Sequence, residues 1–228
     1  MEEEEHRDAE IAAANLARAR DWLEQVAGAL VTELDVAAVG VRQKAPFFVL
    51  CLREGLLWRL EEMGRNATAA LQRGDEASGI TLARCVTEAA AMMWRVFKLV
   101  ENRAEHGPEA LREDVERMWV GWKNHGGELP AAVNILTMIG HLDKAVPGVS
   151  KAYDHLSEVA HPNWSGVAGL YCRTDYEEHI AYFGRRPRGG HNTKAASHLL
   201  LGALGVFEYA YNRLGELMPV WLSELDPL

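Results

Sequence analysis

Long stretches in which apolar residues return every three or four positions, cut by short Gly/Pro breaks, fill most of this chain and leave little choice of fold class. Residues 8–37 carry Ile11, Leu16, Trp22, Leu23, Val26 and Leu30 in helical spacing. Residues 40–46 read as a connector, with Pro46 suited to the first turn of a helix through Val49, Leu52, Leu56, Leu60 and Met63. Gly74 and Asp75 break the chain, and Asp75 can cap a long helix over 76–104. After Gly107-Pro108 a helix runs to about Lys123, the Asn124–Gly127 stretch is a loop, and Pro130 opens a helix ending near Pro147-Gly148. The last helix, 193–224, is the most apolar and is expected at the core. Long helices joined by short breaks predict an all-α antiparallel bundle. Residues 167–184 are the exception. Leu170 and Cys172, then Ile180 and Tyr182, alternate about a polar centre, which predicts a β-hairpin turning near Thr174–Glu177. A lone hairpin is marginal in water, so it should lie against the bundle. The Glu2–Glu5 run is expected to be frayed, making 1–8 a disordered acidic tail and 9–228 one helical domain.

Charge and cysteine usage narrow the function classes. A formal charge of −9 opposes general nucleic-acid or anionic-membrane binding, which needs a positive field. No apolar run is long enough to span a bilayer, so no membrane partner is expected, and the acidic start is unlike a signal peptide. Cys51, Cys85 and Cys172 lack metal-ligand spacing, and Cys51 and Cys85, among apolar neighbours, read as reduced core thiols of a cytoplasmic protein. No phosphate-cradling glycine loop, nucleophile elbow or zinc-protease motif is present, and no cofactor is expected.

Tyr153 to Gly166 (YDHLSEVAHPNWSG) is where the chain departs most from an ordinary core pattern. Four-residue steps stack Tyr153, Ser157 and His161 on one helical face, with Asp154 and Glu158 on its flank, before Pro162 ends the helix. Two readings are open for His161: a general acid/base or phosphate-contacting group, or a histidine capping the last carbonyls at the negative end of the helix dipole. Glu158 and His161, three apart, also match half of a helical di-metal motif. The second half is missing, which leaves at most a single metal completed by His141 or Asp143. Arg84 and Glu88 form a second unusual pair, four apart and surrounded by Leu82, Val86, Ala89 and Met92. It is either a solvated salt bridge or a buried pair whose arginine needs a carboxylate or phosphate partner. Arg185, Arg186, Arg188 and Lys194, with His191 and no acidic residue between 184 and 194, form a local anion-attracting stretch. Asn163 and Trp164 follow the site motif, and Trp164 is a candidate pocket wall.

Two of these motifs together, Arg84-x-x-x-Glu88 and Tyr153-x-x-x-Ser157-x-x-x-His161-Pro162-Asn163, resemble a group of bacterial helical proteins similar to the HEPN superfamily (higher eukaryote and prokaryote nucleotide-binding). The resemblance covers about residues 45–220. It implies an often dimeric helical bundle with a polar site between central helices, binding RNA or a nucleotide in defence or stress response. It also implies possible metal-independent endoribonuclease chemistry, for which active members carry an arginine and a histidine a few residues apart on one helix. No arginine precedes His161 in that way; Arg173/His179 and Arg186/His191 have the spacing but fall on the hairpin and the loop after it. On this reading His161 is the acid/base, Arg84 steadies phosphate charge, Ser157 and Tyr153 donate hydrogen bonds, and Glu88 and Glu158 orient the cations. Asn163, Trp164, Arg185, Arg186 and Arg188 would contact the ligand. The alternatives are a non-catalytic binding or scaffold protein with a structural polar network, and a mononuclear metal protein using Glu158 and His161.

Overall fold

A computed structural model describes residues 2–35, 44–123, 127, 129–185 and 190–225. The expected connector 40–43 and the loop at 124–126 lie outside the described residues. The chain is an antiparallel helical bundle with one two-stranded hairpin, as its periodicity predicts. Its frame is α1 (Glu2–Ala27), α2 (Lys44–Arg73) and α3 (Glu76–Glu101), with the long C-terminal helix packed along α3 and α1. The Gly74-Asp75 break is so short that α2 and α3 must fold back on each other. Small residues on α3 (Gly79, Ala83, Ala90) let neighbours approach, while Ile80, Val86, Met93, Phe97 and Val100 fill the centre. Two short helices follow on the way out, α4 (Arg103–His106) and α5 (Pro108–Val120), and α5 packs on α2. Then α6 (Ile135–Ala145) and α7 (Val149–Ala160) cover the remaining flank of α3. The turn α8 (Ala168–Tyr171) leads into strands β1 (Cys172–Asp175) and β2 (Ile180–Phe183), and α9 (His191–Leu225) closes the bundle. No helix among the described residues is long and apolar enough to cross a membrane.

Four expectations are corrected. The acidic start is not a disordered tail. Helix α1 runs from Glu2, because glutamates in a first turn sit at the positive end of the dipole. Asp8, at its second turn, is buried and paired with Lys194 at 2.5 Å. Helix α6 opens at Ile135, not at Pro130. The Pro130 carbonyl accepts the Trp122 N–H at 3.0 Å, and Asn134 caps the helix by accepting the Leu136 N–H at 3.0 Å. Leu170 is helical and buried, and the hairpin turn falls at 176–179 instead of 174–177. There Asp175 Oδ1 accepts the N–H groups of Glu177 and Glu178 at 3.0 and 3.1 Å, and His179 takes the left-handed conformation (φ 58°). The hairpin also does not lie on the bundle: every residue of β2 is exposed, and the strands pack mainly on each other and on α8.

Candidate functional site

Arg84 and Glu88 stand one turn apart on α3, and Tyr153 reaches them from α7 with a side chain that is only 3% exposed. Arg84 Nη2 donates to the Tyr153 hydroxyl at 2.9 Å, and that hydroxyl donates to Glu88 Oε1 at 2.7 Å. The Arg84 and Glu88 charges themselves lie 3.9 Å apart, so the phenol is the bridge between them. The Arg84 guanidinium also sits 4.8 Å from the Tyr153 ring centroid. Burial and the hydrogen bond to Glu88 push the Tyr153 hydroxyl above its ordinary pKa, against a smaller opposing pull from Arg84. Both half-buried charges are thus answered within the cluster, although Arg84 Nε is buried without a hydrogen-bond partner. The three side chains form a closed α3–α7 pin.

The other residues of the motif turn away from it. Ser157 Oγ donates to the Tyr153 carbonyl at 2.8 Å, a bond internal to α7. Glu158 is exposed and accepts from Asn163 Nδ2 at 2.9 Å. His161 is the C-cap of α7, its N–H bonded to the Ser157 carbonyl at 3.1 Å and its side chain exposed. Eight residues at about 1.5 Å of rise put it about 12 Å along the axis from Tyr153. Steps of four overshoot a 3.6-residue turn by about 40° each, so His161 is rotated about 80° from the Tyr153 direction. The buried stripe instead follows Tyr153, Leu156 and Val159. Beyond His161, Asn163 organises the exit of the helix: its Oδ1 accepts the Gly166 N–H at 3.0 Å and its carbonyl the Val167 N–H at 2.9 Å. Gly166 has no room for a side chain, since a Cβ there would come within 1.9 Å of the His161 carbonyl oxygen. Trp164, expected to wall a pocket, is 78% exposed.

The metal reading gains nothing from this geometry. Asp143 Oδ1 accepts the N–H groups of Gly148 and Ser150, both at 2.9 Å. Among the described residues no three His, Cys, Asp or Glu side chains converge as a metal site would require. The basic stretch is partly neutralised. Arg185 pairs with Asp75 at 2.5 Å, and Lys194 and His191 face Asp8. Arg186 and Arg188 lie outside the described residues.

Sequence reasoning missed two polar clusters. Arg53 stacks 3.4 Å from the Tyr211 ring centroid and donates to the Tyr211 carbonyl at 3.2 Å, while the Tyr211 hydroxyl donates to Glu54 Oε2 at 2.9 Å. Burial, with the Glu54 bond adding to it and Arg53 opposing, pushes Tyr211 up to about 12. Adjacent Arg53 and Glu54 inside an apolar run were the available signal. The second cluster is a cleft of about 240 Å³ between α3, α5 and α6, lined by Arg95, Asp114, Arg117, Asn134, Thr137 and His141 over an apolar floor including Met118, Val133 and Met138. Its residues span 47 positions and follow no motif, so no local pattern announces it. No protein-family model, curated protein or solved structure matches the chain.

Proposed function

We propose that the chain is a binding protein for single-stranded RNA, engaged through the aromatic segment from Trp164 to Phe183, with the Arg84–Tyr153–Glu88 cluster serving as a structural pin. The observation that carries this reading is exposure: Trp164, Tyr176 and Phe183 stand 78%, 82% and 79% open to solvent on one short segment. Large flat side chains in that state offer stacking platforms worth about 1–3 kcal/mol per base. Arg173 lies 5.0 Å over the Tyr182 ring, and Arg185, Arg186 and Arg188 follow in sequence to meet phosphates. The Arg185–Asp75 pair is largely solvent-exposed and therefore cheap to exchange for a phosphate. Nuclease chemistry has less support, because Arg84 is spent on Tyr153 and Glu88 while His161 points elsewhere.

The test is fluorescence anisotropy of a labelled unstructured RNA at low salt with chelator present, the RNA being sized afterwards on a gel. Wild type is expected to bind, and the double variant Trp164→Ala/Phe183→Ala to lose about thirtyfold or more, in line with two lost stacking contacts. Absence of wild-type binding at low salt overturns the reading. Cleavage abolished by His161→Ala would replace it with an endoribonuclease. Concentration-dependent dimerisation abolished by the aromatic double variant would instead assign the segment to a second copy of the chain.

A further inference from the structure

The cleft between α3, α5 and α6 shares no residue with the α3–α7 pin or with the aromatic segment, and its lining combines cations with apolar surface. Arg95 reaches in from α3 and Arg117 from α5. Arg95 Nη2 is held by Asp114 at 2.9 Å, and Arg117 Nε by the Ala131 carbonyl at 3.2 Å. Each guanidinium carries five N–H donors in a planar fork, so most of the donors of both remain for a ligand. The Thr137 hydroxyl and Asn134, the cap of α6, complete the polar rim. His141 Nδ1 is sealed from solvent and has no hydrogen-bond partner, and the residue lines the cleft. Arg95 and Arg117 against the single carboxylate of Asp114 leave the lining with a net positive charge. Met118, Val133 and Met138 supply a surface that water alone satisfies poorly.

We propose that this cleft binds a small organic oxyanion, a carboxylate or phosphate on a compact apolar body, with Arg95 and Arg117 gripping the oxyanion and Met118, Val133 and Met138 holding the body. The volume of about 240 Å³ leaves room for a compact ring with one charged group. Planar guanidinium forks match either anion by paired charge-assisted hydrogen bonds. The state of His141 agrees with such a ligand. Burial, then Arg95, then Lys144, hold its pKa below the ordinary value, and a bound anion would offset the two cationic contributions. The charged groups around that ring are Arg95 on α3, Asp114 and Arg117 on α5 and Lys144 on α6.

The experiment is calorimetric titration of the full chain with benzoate, phenyl phosphate and inorganic phosphate, repeated with Arg117→Gln, Arg95→Gln and, as a control, Arg112→Gln on α5, which is paired with Glu116 outside the cleft lining. Saturable 1:1 binding of benzoate or phenyl phosphate is expected, weakened about tenfold or more in Arg117→Gln and Arg95→Gln and unchanged in Arg112→Gln. Which of the two organic anions binds more tightly identifies the oxyanion. Inorganic phosphate is expected to bind more weakly than phenyl phosphate, since it leaves the apolar floor uncovered. Arg95→Gln also strips Asp114 of its partner, so Arg117→Gln, whose folding is checked by its melting curve, decides alone if Arg95→Gln misfolds. No saturable binding of either organic anion, or equal binding by wild type and Arg117→Gln, overturns the proposal.

Discussion

The Tyr153 hydroxyl, itself buried, donates to one half-buried partner and accepts from another within 3 Å. Removing that single oxygen leaves Arg84 and Glu88 3.9 Å apart with no bridge. Tyr153→Phe is therefore expected to cost about 1–3 kcal/mol in urea unfolding, the usual toll of buried groups left unsatisfied. RNA affinity in the same variant should stay at the wild-type value, which separates a structural pin from a binding residue. At this scale the sequence was half legible. Arg84, Glu88 and Tyr153 stand out as polar side chains interrupting apolar stripes, and the fold brings those three together. Ser157, Glu158 and His161 were grouped with them on a four-residue ladder that precesses out of the buried face. Steps of three from Tyr153 lead instead to the buried Leu156 and Val159.

Among the elements, the hairpin differs most from the rest. Its register is set by Cys172 opposite Phe183 and Asp175 opposite Ile180, and the Gly184 N–H to the Tyr171 carbonyl adds a last rung at 2.9 Å. Little of its surface is covered by the bundle, so it adds little to global stability. Replacing residues 174–181 by two glycines is expected to change the unfolding free energy by less than about 0.5 kcal/mol, as for other surface changes. The same replacement removes Tyr176 from the stacking surface and should weaken RNA binding; a loss of stability of several kcal/mol would show that the hairpin is part of the core. Its existence was legible from two-residue alternation, but its exposure was not, because alternation marks a strand without saying what either face meets. Helix α6 teaches the same lesson at a boundary: Pro130 can open a helix, but Asn134 is the residue whose side chain satisfies the first free N–H.

Across the whole molecule, stability at high pH should report the Arg53–Tyr211–Glu54 cluster. Tyr211 holds its proton up to about 12 in the folded chain, above the ordinary value near 10. The unfolded chain releases that proton first, so the stabilisation is complete below about pH 10 and is lost as pH rises toward 12. Tyr211→Phe keeps the ring under Arg53 but removes the titrating group. It should flatten the alkaline fall in melting temperature and eliminate the latest phase of tyrosinate absorbance. The bundle itself is readable because its helices are long and cut by short Gly/Pro breaks. The packing of α1 on α9 was not, since helical periodicity marks a buried face without naming what it faces. Asp8 is held by Lys194, and Asn15 Nδ2 donates to Ser197 Oγ at 3.2 Å, across 186 and 182 residues respectively. For a chain emerging from the ribosome this sets an order of assembly. The first helix is made at the outset, yet its buried carboxylate and amide stay unmatched until α9 is synthesised, so α1 is expected to take its final seat among the last elements, and a nascent chain stopped short of α9 should expose it to proteases.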